Sequence, residues 1–100
     1  MEEQRKVAEF IEEHDLEAAP GFRIMDLVSE VGEIAKDVTK SSEYGLAPEK
    51  MEIKEDEVGD ALFSLLAVAE DLGIDAGEAL DTALEKYRSR IEEKGEPGSG

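Results

Sequence analysis

The spacing of apolar residues along the chain predicts four α-helices. Apolar positions recur at helical intervals over roughly residues 2–16, 23–41 and 49–72, and again in a fourth segment that follows Asp75. No segment alternates apolar and polar residues as a half-buried β-strand would. The pattern therefore predicts an all-α fold, an antiparallel helical bundle of about four helices.

Residues that interrupt or cap helices mark the predicted boundaries. Pro20-Gly21 is expected to break the chain after the first helix, and Pro48 suits the first position of the third. Asp75, with a glutamate three positions later, has the spacing of a helix N-cap. Residues 95–100 are rich in Gly and Pro and are expected to form a flexible tail. The predicted helical domain therefore spans residues 1–94.

The third predicted helix is the most apolar of the four. From Val58 to Ala69, apolar side chains occupy most of its sides. A helix that is apolar all round is either central in its fold or buried in an oligomer. Because four helices of one small chain cannot cover it on every side, we expect a homodimer or a homotetramer to complete the bundle.

The charge balance restricts the partners that this chain can bind. It carries 27 acidic and 11 basic residues, a formal net charge of -16. Such a surface repels the backbone of nucleic acid polymers and the surface of anionic membranes. A phosphorylated small molecule could bind only with the help of a divalent cation or of a local basic cluster.

Residues that are rare or missing exclude several kinds of site. The chain has no cysteine and one histidine, which excludes disulfides, cysteine-based zinc sites and multi-histidine metal sites. A Ser-His-Asp triad is implausible for the same reason. The N-terminal residues lack the apolar region of a signal peptide, and no apolar stretch is long enough to span a membrane. The expected location is therefore the cytoplasm.

Two pairs of carboxylates stand out among the many acidic residues. Glu30 and Glu33 border the apolar stripe of the second helix, and Glu57 and Asp60 border that of the third. Residues three apart share a helix face, so each pair projects from its helix as a unit. Each pair also encloses a glycine, which costs about 1 kcal/mol in a helix interior and is easier to understand where a ligand or another backbone approaches closely.

These four carboxylates have two interpretations on the residues alone. If the second and third helices pack antiparallel, the two pairs could face each other, and their mutual repulsion would favour a bound cation. Ligands that are all oxygen favour Mg²⁺, with Mn²⁺ as the alternative. Alternatively, the acids are solvated helix edges that merely border the core.

The motif pairs resemble those of a known enzyme family. Glu30-Val31-Gly32-Glu33, followed by Glu57-Val58-Gly59-Asp60 and Ala61-Leu62-Phe63, looks like the paired motif of the MazG-like all-α nucleoside triphosphate pyrophosphohydrolases. The stretch that begins at Leu72-Gly73-Ile74-Asp75 and the segment Lys86-Tyr87-Arg88-Ser89-Arg90 are also similar to that family. The resemblance covers roughly residues 22–91. Leu84 departs from it, because many members carry asparagine there.

The resemblance implies an activity and assigns residues to it. It implies hydrolysis of a nucleoside triphosphate to a monophosphate and pyrophosphate, for house-cleaning or control of nucleotide pools. By resemblance, Glu30, Glu33, Glu57 and Asp60 are the catalytic and metal-binding residues, with Mg²⁺ as the cofactor and a metal-activated water as the attacking group.

Three further residues are candidates for contacts with the substrate. Lys86 and Arg90 share a helix face four residues apart and could clamp the polyphosphate, although pairing with nearby acids and the helix C-terminus would also explain them. His14 is expected to be a partly buried histidine at the edge of the core. Contact with the nucleobase is its alternative role, because the first helix often lines that pocket in the family.

Other functions stay open at this point. Within the family, the activity could be that of a dUTP or dCTP pyrophosphatase or of a phosphoribosyl-ATP pyrophosphohydrolase. Outside it, a non-catalytic acidic helical module for protein interaction would show the same binary pattern. Carboxylates held beside a core favour the enzyme, since an interaction module has no need of them there.

Overall fold

The all-α fold is confirmed by a computed structural model, which describes residues 1–98. Its helices are α1 (Glu2–Glu13), α2 (Pro20–Ser41), α3 (Glu55–Asp71) and α4 (Ala76–Lys94), with a short 3₁₀ turn at Pro48–Lys50 between α2 and α3. Within that range the chain forms no β-strand, and none of its helices is long and apolar enough to cross a membrane. Residues 99 and 100 of the predicted tail lie outside the described part.

Helix α1 ends earlier than the apolar spacing predicts. Asp15 adopts a positive φ of 56°, and the Leu16 N–H donates to the Ile11 carbonyl at 2.9 Å. This closure satisfies a carbonyl at the helix end, as αL caps commonly do. His14 is therefore the residue that caps α1, rather than a member of its apolar face.

Helix α2 begins at Pro20, so the predicted break at Pro20-Gly21 is wrong. Ala19 is extended and serves as the N-cap, and Pro20 occupies the first turn. Proline suits that position because its missing N–H would have no partner inside the helix.

Helix α3 begins at Glu55, six residues later than predicted. The preceding segment is held extended by Ser41, whose hydroxyl accepts a hydrogen bond from the Glu52 N–H at 2.8 Å and donates to the Asp37 carbonyl at 2.6 Å. Pro48 occupies the first turn of the 3₁₀ helix instead of starting α3. A side-chain contact between distant residues thus overrides the local helical preference.

Helices α2 and α3 pack antiparallel along most of their length. Ser41 contacts Glu52 near one end, and the Arg23 guanidinium pairs with Asp71 at 3.3 Å near the other. Arg23 is buried and also donates to the Leu16 carbonyl, which ties the α1–α2 connection to α3. Arg23 therefore has a structural role.

Helix α1 crosses α3 and closes a small core. Its buried members are Val7, Ile11, Leu66 and Ala67, with Phe63 packed against them. Nearby, the buried amide of Gln4 donates to Glu70 and to the Ile74 carbonyl and accepts from the Ala76 N–H, so it joins α1 to the α3–α4 turn.

The chain is more open than a compact monomer of its size. It exposes 7288 Å² and has a radius of gyration of 16.6 Å. A compact monomer of this length would expose about 5,600 Å², with a radius near 13 Å. The chain thus exposes roughly 1,700 Å² more than a compact monomer would, and large apolar side chains of α2, α3 and α4 are among its exposed residues.

Two apolar stripes are part of that exposed surface. On α3, Val58, Leu62 and Leu65 fall at i, i+4 and i+7 and are 45% to 53% exposed. Helix α4 packs only lightly on α3, and its own side chains form what we call the α4 stripe. The α4 stripe consists of Leu80, Leu84, Tyr87 and Ile91, which are 38% to 51% exposed. The predicted apolar third helix is thus only partly covered by its own chain.

The cap of α4 offers a direct test of this fold. The Asp75 carboxylate accepts a hydrogen bond from the Glu78 N–H at 3.0 Å, and this bond is the main cause that lowers the pKa of Asp75. Asp75→Ala should therefore lower the melting temperature at neutral pH, whereas Asp75→Asn should lower it less because it keeps an oxygen acceptor. The difference in melting temperature between wild type and Asp75→Ala should become smaller in acid, because Asp75 becomes protonated. Equal melting temperatures for wild type and Asp75→Ala at neutral pH would contradict the cap.

Candidate metal centre

The antiparallel register of α2 and α3 fixes which carboxylates lie at the same level. Residue 23 contacts residue 71, residue 37 contacts residue 57, and residue 41 contacts residue 52. In this antiparallel register, the numbers of two facing residues add up to 93 or 94. At this register Glu57 is level with Asp37, and Asp60 is level with residue 34, next to Glu33. With 1.5 Å of rise per residue, these four carboxylates fall within an axial window of about 6 Å.

Glu57 and Asp37 form a contact between acidic side chains of the two helices. Each has one oxygen, Oε2 of Glu57 and Oδ2 of Asp37, that exposes less than 1 Å² and accepts no hydrogen bond. Two carboxylates can hydrogen-bond each other only if a proton lies between them. Unsatisfied buried oxygens are costly, so this pair requires either a shared proton or a cation.

The two carboxylates share one proton, which Glu57 binds more tightly than Asp37 does. The hydrogen-bonding contact with Asp37, followed by burial, raises the pKa of Glu57 from 4.5 to about 7. The same contact, supported by the backbone N–H and the charge of Lys54, lowers the pKa of Asp37. In the absence of a cation, Asp37 is therefore the ionised member, and Glu57 holds the proton over much of the acidic pH range.

The other predicted ligands lie near this pair without converging on it. Glu30 is half-buried and level with residue 64, about 6 Å along the axis beyond Asp60, whereas Glu33 and Asp60 are exposed. As the side chains stand, no group of three or more acidic or histidine residues within residues 1–98 could hold a metal ion. By register, Glu33, Glu57 and Asp60 thus lie at neighbouring levels of α2 and α3, with Glu30 about one turn further along.

The two glycines of the motifs have open space around them. A Cβ atom built on Gly32 or Gly59 would meet no described atom within 4 Å. The close approach that the sequence suggested therefore does not come from the described part of this chain.

Lys86 and Arg90 contact groups of their own helix and of the segment after it. The Lys86 ammonium lies 5.4 Å from the centre of the Tyr87 ring, and Arg90 donates to the Pro97 carbonyl at 3.4 Å. Because α4 packs only lightly on α3, their role as a phosphate clamp stays a prediction.

His14 differs from its predicted environment. It is exposed rather than partly buried, because α1 ends before it, and its ring lies 4.5 Å from that of Phe10. Phe10 in turn meets Phe63 edge-on, and these two rings line an apolar cleft of about 260 Å³. A contact of His14 with the nucleobase stays a prediction.

Sequence reasoning missed Asp37 and the cleft beside it. This cleft, of about 300 Å³, is lined by Asp37, Lys40, Ser41, Glu52 and Lys54. It places the positive charge of Lys54 near the Asp37 carboxylate. The available signal was the position of Asp37, which is four residues after Glu33 and so shares its helix face.

The raised pKa of Glu57 leads us to expect an unusual dependence of stability on pH. Because the pKa of Glu57 is raised in the folded state, the folded protein binds more protons than the unfolded chain between pH 4.5 and about 7. Without metal, the melting temperature should therefore fall as pH rises through this range. Glu57→Gln should make the melting temperature nearly independent of pH in this range. Glu55→Gln, at an exposed position of the same first turn, should leave the dependence on pH unchanged. Parallel slopes for wild type and Glu57→Gln would contradict the shared proton.

Comparisons with known proteins agree with the motifs. Residues 23–94 match the profile of a family described as the MazG nucleotide pyrophosphohydrolase domain. The chain is also similar to the uncharacterized protein YpjD of Bacillus subtilis (strain 168), with 35% identity over 72 residues. The similarity covers 68% of this chain and 63% of YpjD, so the chain spans less than two thirds of that relative's length. No solved structure gives a significant match.

Proposed function

Because the chain belongs to the MazG nucleotide pyrophosphohydrolase family, we propose that it hydrolyses a nucleoside triphosphate to a monophosphate and pyrophosphate, with Mg²⁺ as its cofactor and Mn²⁺ as a substitute. The observation that carries this proposal is the buried, donorless oxygen of Glu57 beside a second such oxygen on α2. Hard divalent cations prefer carboxylate oxygens, so the donor set fits the ion.

The residues of the two motifs would hold the cation. Glu57 presents its buried oxygen from α3, and the exposed side chains of Glu33 and Asp60 can rotate towards it from neighbouring levels. Glu30 completes the set from the next turn of α2. When bound, the cation supplies a water of lowered pKa and neutralises charge on phosphate oxygens. One of these carboxylates orients or deprotonates that water.

A second copy of the chain would complete the site. The exposed stripes on α3 and α4, together with the roughly 1,700 Å² of surface beyond that of a compact monomer, match what a stable interface buries per chain. In a homodimer or homotetramer, α4 of one copy can bring Lys86 and Arg90 to the carboxylates of another. This arrangement would place positive charge at the polyphosphate, as a strongly acidic protein requires.

The experiment that tests this function is a substrate screen. Canonical and damaged nucleoside triphosphates, including dUTP and dCTP, are incubated with the protein and Mg²⁺, with phosphoribosyl-ATP in a parallel arm. The proposal expects monophosphate and pyrophosphate in equal amounts, and the preferred substrate identifies the branch of the family. Release of single phosphate groups, or no turnover of any compound, would count against it.

Thermal melting with and without Mg²⁺ separates the enzyme from a non-catalytic interaction module. A cation that binds the folded state raises its melting temperature by mass action. The enzyme predicts such a rise at millimolar Mg²⁺ or Mn²⁺. An interaction module predicts no shift beyond that of ionic strength, which NaCl of matched ionic strength controls.

A further inference from the structure

Asp37 lies outside both motif pairs, yet it is the acidic residue that contacts Glu57 directly. It projects from the same face of α2 as Glu33, one helical turn later. Its carboxylate meets that of Glu57 across the seam between α2 and α3.

The Asp37 carboxylate keeps an oxygen without a donor, although the charges of Lys54 and Lys36 already act on it. Its Oδ2 atom is buried without a hydrogen-bond donor, and the same holds for Oε2 of Glu57. The backbone N–H of Lys54 orients the Asp37 carboxylate. One side of the contact opens into the cleft of about 300 Å³ that Ser41, Lys40 and Lys54 line. This space can admit the remaining waters of a hydrated ion.

We propose that Asp37 is a fifth carboxylate of the cation site, which binds a hard divalent ion between its Oδ2 atom and Oε2 of Glu57. The inference rests on the proposed function and extends its metal site beyond the four motif residues. It assigns the ion to the end of the seam nearest the α3 N-terminus, at the level of residues 37 and 57, with Glu33 and Asp60 one turn away.

Binding of Mn²⁺ tests this assignment without any reference to turnover. Free Mn²⁺ is measured by electron paramagnetic resonance while it is titrated into wild type, Asp37→Asn, Asp37→Glu and Asp60→Asn. Asparagine keeps an oxygen that can accept from the Lys54 N–H, but it loses the charge. We expect Asp37→Asn to weaken Mn²⁺ binding by about tenfold to a hundredfold, and Asp37→Glu to weaken it less.

The melting temperature without metal separates a ligand from a merely structural residue. Asp37→Asn removes a carboxylate from contact with Glu57, so the metal-free variant should be at least as stable as wild type while its Mn²⁺-induced rise is smaller. Asp81→Asn, at an exposed position on α4, controls for the loss of one charge and should bind as wild type does.

The outcomes distinguish this inference from the proposed function. In one outcome, wild type binds Mn²⁺ with an affinity that Asp60→Asn weakens and Asp37→Asn leaves unchanged. That result would overturn the proposal that Asp37 is a fifth ligand, but it would support the site formed by the motif residues. If wild type binds no Mn²⁺ at millimolar concentration, both are overturned. A metal-free Asp37→Asn protein that is markedly less stable than wild type, with unchanged Mn²⁺ affinity, would assign Asp37 a structural role instead.

Discussion

Glu57→Gln is expected to lower Mg²⁺-dependent pyrophosphate release by at least about a hundredfold while the helices stay folded. The glutamine has nearly the same shape as the glutamate, so packing along the α2–α3 seam is conserved. It has no negative charge, however, and the buried position that carried the donorless oxygen can no longer attract a cation. Activity should be measured with the preferred triphosphate at saturating Mg²⁺, and folding by circular dichroism.

Stability gives this prediction a second, independent readout. The contact between Glu57 and Asp37 raises the pKa of Glu57, so near neutral pH the wild-type protein must either keep a proton there or place two like charges side by side. Glutamine relieves that conflict. The variant should therefore melt at or above the wild-type temperature without metal, and it should lose the rise that Mg²⁺ produces in wild type.

A matched control keeps the interpretation specific. Glu55→Gln removes the same charge from the same first turn of α3, at an exposed position outside the motif. It should keep nearly full activity and the full response to Mg²⁺. Comparable losses in both variants would mean that the general negative charge at the start of α3 matters, and not a ligand at position 57.

The helices of this chain could be predicted from apolar spacing, but several of their ends could not. Local signals placed the cap of α4 correctly, because Asp75 acts on its own helix. They failed at the start of α3, where Ser41 holds Glu52 in an extended conformation from eleven residues away. Such a contact exists only once the two helices have packed, so no local pattern can reveal it.

The candidate site, like the helix ends, could be predicted only in part from the sequence. The motif pairs predicted a metal site between α2 and α3, and the register puts Glu33, Glu57 and Asp60 at neighbouring levels of these helices. Asp37 escaped notice because acids spaced three or four apart are common in a chain with 27 of them. Only the packing of α2 against α3 shows that its oxygen is buried against Glu57.

The second large effect is expected at the α4 stripe, where Leu84→Asp should separate the proposed oligomer into monomers. Leu84 lies in the middle of that stripe, and its side chain is 38% exposed in the single chain. Burying an unpaired carboxylate in an apolar interface is strongly unfavourable, so the dissociation constant should rise by about a hundredfold or more. Sedimentation velocity over a range of protein concentrations measures the change.

The consequence for activity follows from where the basic residues lie. Lys86 and Arg90 are carried by α4, which packs only lightly on the α3 of its own chain. If a second copy delivers them to the carboxylates, the Leu84→Asp monomer should retain its Mg²⁺-induced rise in melting temperature but turn over little triphosphate. Thr82→Asp adds the same charge at an exposed position away from the stripe, and it should remain oligomeric and active.

Two outcomes would contradict this prediction. One is a wild-type protein that sediments as a monomer at all concentrations, and the other is a fully active Leu84→Asp monomer. Either would show that one chain is sufficient and that the phosphate is held by groups other than those of α4.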